Sequence, residues 1–231
     1  MTGRPDALLA AFQLADSALP IGGRALSHGL ESAVEGGLVG DLGGVEAYLR
    51  ALLLGQLATL DAAALALAHR RWARGPEPVA EVDRALEARK LAREPREAAR
   101  RAGRALLRAA PSLGAEAVAT GYAPLVAAGA APGLHPIVHG IVAAELGLDP
   151  AAAALAYGHG FALGLLSAAV RLLPIGHLEA QAALRRAGPT IETAVERALA
   201  ADQPADLWAF APQAELLAIR HERGQARSFA T

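Results

Sequence analysis

His135 and His139 stand four residues apart at the start of a predicted helix, a spacing that turns both imidazoles to one side, as metal ligands on a helix are arranged. No helical Glu-x-x partner and no carboxylate triad accompanies them, so ordinary polar residues near a helix end are the competing reading. His28, His159, His177 and His221 are each isolated in the sequence, and a lone histidine is more often a hydrogen-bonded structural residue than a ligand. Asp16, Ser17 and His28 have the residue types of a nucleophilic triad but no spacing that supports one, and no Gly-x-Ser-x-Gly elbow is present. A phosphate-binding loop needs clustered backbone amides and a lysine placed for the phosphates. The one lysine, Lys90, lies outside any such pattern. The run Gly158-His159-Gly160-Phe161-Ala162-Leu163-Gly164 has its third glycine one place late for a dinucleotide loop and no strand before it, so close helix packing explains it better.

Two stretches have the chemistry of docking surfaces. Between Glu81 and Arg108 the chain carries nine basic residues against five acidic ones, and Arg93, Arg96, Arg100, Arg104 and Arg108 recur at three- and four-residue spacing. That spacing draws a basic stripe along one helical face, suited to an acidic partner or to a solvated face partly paired with Glu94 and Glu97. The carboxyl end, Ile219 to Thr231, mixes charges, glycine and one aromatic anchor, Phe229, without a core-like pattern. Such a tail either orders on a partner or folds back on its own bundle.

The elements that must position these residues are helices. Strand signals are almost absent: no run alternates apolar and polar residues for long, and no Asn-Gly or Asp-Gly hairpin turn occurs. Helices are expected from Val45 to about Trp72, Val79 to Arg93, Pro95 to before Pro111, Gly114 to Ala128, His135 to Leu146, Pro150 to Leu173, Ile175 to Arg186, Pro189 to Ala201 and Leu216 to Arg223. Proline and glycine between them supply short connections, with no fixed-period repeat and no low-complexity linker. The expected fold is all-α, a single compact bundle of roughly eight to ten helices. It is one domain over residues 1–231, with a looser glycine-rich segment at 1–44 and the tail at about 219–231.

Composition agrees. Hydrophobic residues make up 53% of the chain but aromatics only 4%, so apolarity comes in small units suited to close helix packing. The net charge of −1 argues against a general nucleic-acid binder or a polybasic membrane anchor. The absence of cysteine excludes disulfides, thiolate zinc sites and cysteine nucleophiles. The first apolar run, Ala7 to Phe12, is too brief for a secretory signal, so a cytoplasmic location is expected. Ala151 to Val170 is long enough to span a bilayer, but its alanine and glycine content reads better as a central helix buried on all sides, and no membrane association is expected.

Three stretches together resemble one family. Leu14-Ala15-Asp16-Ser17-Ala18-Leu19-Pro20-Ile21-Gly22-Gly23, followed by Ser27-His28-Gly29-Leu30-Glu31, is similar to the amino-terminal signature of UreF-type urease accessory proteins. Leu166 to Gly176 resembles that family's central helix and the turn after it, and Arg220-His221-Glu222 with Arg227 and Phe229 resembles its terminal segment. The resemblance implies an all-helical, non-catalytic scaffold, commonly a homodimer and without a bound cofactor of its own. Such a scaffold binds UreD (UreH in some systems), recruits or regulates the GTPase UreG, and contacts apo-urease so that the complex inserts nickel. It places Glu31 in a functional amino-terminal region and makes Arg220, His221, Glu222, Arg227 and Phe229 the docking tail. Arg24, His177, Pro95 and the terminal Ser-Phe-Ala-Thr depart from the family pattern. The alternative from another class is a helical nickel-binding metalloprotein using His135 and His139.

Overall fold

The computed structural model describes residues 5–22 and 27–221, and among these there is no strand. The expectation of an all-α bundle holds. Its helices are α1 (Pro5–Ala15), α2 (Leu30–Glu35), α3 (Leu42–Leu52), α4 (Ala62–Trp72), α5 (Pro76–Arg89), α6 (Arg93–Ala109), α7 (Glu116–Gly121), α8 (Ala123–Ala127), α9 (His135–Glu145), α10 (Pro150–Leu172), α11 (His177–Leu199) and α12 (Pro212–His221).

α3 and α4 are the two ends of one rod, joined through a π-helical segment at Leu53–Asp61. The rod begins three residues earlier than expected because the Asp41 side chain caps it, accepting from the Gly44 amide at 2.8 Å. Wider i→i+5 turns appear mostly where a helix serves a site or absorbs a packing constraint. Here the segment Trp208 to Phe210 runs alongside, with Phe210 N donating to Gly55 O at 2.7 Å and Trp208 N to Thr59 O at 3.1 Å. A Cβ at Gly55 would collide with the Phe210 carbonyl, so this approach requires glycine.

The helix buried on all sides is α4, not α10. Every residue from Ala62 to Ala68 is buried, wrapped by α5, α9, α10 and α11. Alanines let those neighbours come close, and α9 comes so near that a Cβ on Gly140 would meet Leu65 O. α10 keeps a half-exposed face, with His159 in solvent. The rod Leu42–Trp72 and α10 are both long and apolar enough to cross a membrane, and in the fold 72% and 50% of their most apolar windows are buried against other helices.

Several expected boundaries move. The break foreseen before Pro189 does not occur: α11 runs unbroken through it, with Gly188 ahead and the ring on the exposed side. The stretch expected as one helix from Gly114 to Ala128 is two short ones divided at Tyr122, because Pro124 in the first turn of α8 has no amide hydrogen to give to the preceding turn. The glycine-rich amino-terminal region contains α1 and α2, of which α1 packs on α10 through Ala7, Ala10, Ala11 and Leu14. α12 begins at Pro212 rather than Leu216.

Asp83 of α5 ties the loop before α9 in place. Its buried carboxylate accepts from Tyr122 Oη at 2.6 Å, Gly133 N at 2.6 Å and Leu134 N at 3.2 Å. Leu134 is the residue before α9, so this lock sets where that helix starts and which way His135 and His139 face.

Candidate functional site

The chemistry-bearing side chains gather around one cavity of about 140 Å³. Its wall is built from the end of α1 and the stretch after it as far as Ile21, His28, the π-helical segment, the α5 to α6 junction, the first turns of α9, and the middle of α10. On the scale of about 10–15 Å³ per water-sized centre, it has room for several waters or one small ligand.

Two charged groups face each other in this wall. Asp61 closes the π-helical segment and Lys90 stands in extended backbone just past α5, and Nζ lies 2.6 Å from Oδ1. The contact is a close ion pair. Both side chains are under a tenth exposed. Arg96 holds the lysine's backbone, donating from Nη1 to Lys90 O at 2.8 Å.

Three histidines line the same space. His135 and His139 present ring centroids 5.8 Å apart at 83°, and Tyr157 of α10 packs 5.3 Å from each. The Nε2 atoms of both are closed off from solvent and have no hydrogen-bond partner. Burial is the main cause that lowers their pKa values, to about 4 for His135 and about 3 for His139, so both are neutral at pH 7. His28, isolated in the sequence, joins them on the wall. Its ring lies 4.3 Å from Phe161, its carbonyl accepts from Tyr48 Oη at 2.7 Å, and burial lowers its pKa to about 4. His28 adopts φ 51, a left-handed conformation that non-glycine residues rarely take outside turns and functional sites.

The other expected site residues are placed as follows. Asp16 and Ser17 line the cavity with His28, and Asp16 Oδ1 accepts from Ala18 N at 2.8 Å, closing its own turn. Glu31 of α2 is buried, only 3% exposed. Arg220 and His221 end α12. Glu222, Arg227 and Phe229 lie outside the described residues. His159 and His177 are exposed and away from the cavity wall.

The basic stripe on α6 is partly neutralised. Arg93 pairs with Glu97 at 3.8 Å, Arg100 Nε donates to Glu87 at 2.8 Å, and Arg96 is spent on Lys90 O, while Arg104 and Arg108 face solvent. The solvated and partly paired reading of this face describes it better than a continuous acidic-partner surface.

Sequence reasoning missed Asp61, Gln56 and Tyr157, and took Lys90 only as a lysine without a phosphate loop. The signal was there for Asp61: it is the one acidic residue inside the most apolar run of the chain, and a carboxylate so placed demands a buried partner. Among the described residues no group of three His, Asp or Glu side chains is placed to enclose a metal ion.

Comparison with known proteins gives a consistent outcome. A family model described as UreF matches residues 39–188. The chain is 36% identical over 221 residues to the urease accessory protein UreF of Arthrobacter sp. (strain FB24), covering 96% of each chain. It is 35% identical over 223 residues to urease accessory protein UreF 2 of Brucella canis, covering 96% of this chain and 91% of that one. The urease accessory protein UreF of Paenarthrobacter aurescens is 36% identical over 223 residues, covering 96% of both.

Proposed function

The chain belongs to the UreF family of urease accessory proteins, and from that premise we propose that it is a non-catalytic scaffold for urease maturation. It binds UreD (or UreH), recruits or regulates the GTPase UreG on apo-urease, and so serves nickel insertion without a resident cofactor. The relatives' shared name supports the maturation role, and their near full-length coverage supports carrying it across the whole fold.

One structural observation carries the docking part of this reading. The segment leading into the tail leaves Trp208, Phe210 and Leu216 exposed at 54%, 73% and 58%, in a chain with few aromatics. Large apolar side chains held outward on a fixed segment suit a protein partner better than water, and aromatics are enriched where interfaces are tight. α12 follows that segment directly, and residues 219–231, next in the sequence, are the expected UreD contact. α1 likewise turns Leu8, Leu9 and Phe12 outward, a face suited to a second copy of the chain in a homodimer.

Co-purification with tagged UreD tests the reading. Full-length chain is retained, and a chain lacking residues 219–231 is retained at least tenfold less. Equal retention of both chains would remove the tail from the docking surface, and no retention of either would remove UreD as the partner.

A further inference from the structure

The cavity wall holds two imidazole nitrogens that the fold orients and leaves unused. His139 Nε2 is closed off from solvent and has no hydrogen-bond partner. His135 Nε2 is also without a partner and shut off from solvent, one helical turn away on the same helix. Tyr157 braces both rings from α10.

Leaving such atoms empty carries a cost. A buried imidazole nitrogen without a partner loses its hydration and gains nothing in return, so native structures rarely keep two on one cavity wall without an occupant. The charge of the wall favours a positive one: Asp16 and Asp61 against Lys90 leave one net negative charge among its described residues. Lys90 is already committed to Asp61, which softens its repulsion of a second cation. Imidazole pairs suit late first-row divalent ions more than magnesium or calcium, which prefer oxygen.

We propose that His135 Nε2 and His139 Nε2 form a two-imidazole site for one divalent transition-metal ion inside this cavity, with water completing its coordination. Two protein ligands make an open, exchangeable site rather than a closed structural one. The site does not depend on partner binding and stands or falls apart from the scaffold role.

The test is calorimetric titration of the metal-stripped full chain with NiCl2, together with electron paramagnetic resonance of the chain loaded with one equivalent of CuSO4. The expected results are one saturable nickel site per chain and nitrogen couplings from two imidazoles on copper. His135→Ala and His139→Ala each weaken nickel binding on the order of tenfold or more, whereas His221→Ala and His159→Ala leave it unchanged. Three results overturn the proposal: no saturable binding up to about 1 mM nickel, binding that survives both cavity substitutions, or binding lost with His221→Ala. If the alanine variants fail to fold, the copper spectrum of the unsubstituted chain decides, since a signal without two coupled imidazoles rejects the site.

Discussion

Lys90 Nζ sits 2.6 Å from Asp61 Oδ1 with both side chains nearly out of solvent, joining the end of the π-helical segment to the junction between α5 and α6. Breaking one side of such a pair strands the other charge, whereas replacing both with apolar groups of similar size does not. Lys90→Met therefore costs about 3–5 kcal/mol of unfolding free energy, and Asp61→Leu with Lys90→Met recovers most of it. Urea denaturation of the two variants beside the parent measures both. A double variant no more stable than Lys90→Met would show that the pair is held for something other than charge balance.

Asp83 gives a pH signature. Burial raises its pKa from 3.8 to about 6, against the hydrogen bonds from Tyr122, Gly133 and Leu134 that favour the ionised form. The folded pKa lies above the unfolded one, so the stability it contributes is fully present below pH 3.8 and is lost as pH rises through about 6. At 1.36 kcal/mol per pH unit that amounts to about 3 kcal/mol. Compared with Asp83→Asn, which does not titrate, the parent chain gains stability as pH falls from 7 to 4. A difference that stays flat, or shrinks toward low pH, would mean the three donors outweigh burial.

Pro189→Ala is expected to stabilise. It restores an amide donor inside α11 at an exposed position where no tertiary contact requires the ring, for a gain of about 1–3 kcal/mol, partly offset by the freer unfolded chain. Thermal unfolding reads it as a higher midpoint. An unchanged or lower midpoint would show that the proline ring is needed by the packing of α11 on α10.

Gly55→Ala separates the strap from the core. The added Cβ meets the Phe210 carbonyl, so the segment Trp208 to Phe210 must lift from the π-helical segment, at a cost of about 1–3 kcal/mol. Because that segment leads into α12, UreD retention falls further than the loss of stability alone accounts for. Matched thermal midpoints and pull-downs for Gly55→Ala and Gly140→Ala distinguish the two effects, since Gly140 packs against Leu65 in the interior.

Trp208→Ser and Phe210→Ser change an exposed surface, so each shifts stability by no more than about 0.5 kcal/mol. UreD retention drops all the same. Full retention by the double variant would move the docking surface elsewhere.

The sequence by itself determined the fold class, because alanine-rich runs punctuated by proline and glycine leave only helices available, and it determined the family through stretches that remain contiguous in the chain. It also placed His135 and His139 on one face, since i, i+4 spacing is local. Tertiary structure alone decided the rest of the site. Asp61 and Lys90 are twenty-nine residues apart, and His28 lies more than a hundred from His135, so no local periodicity links them. They meet because α4 is buried on every side and draws α5, α9 and α10 around it. Pro189 shows the same limit from the other direction: local chemistry called for a break, and packing along α11 together with an exposed ring kept the helix whole.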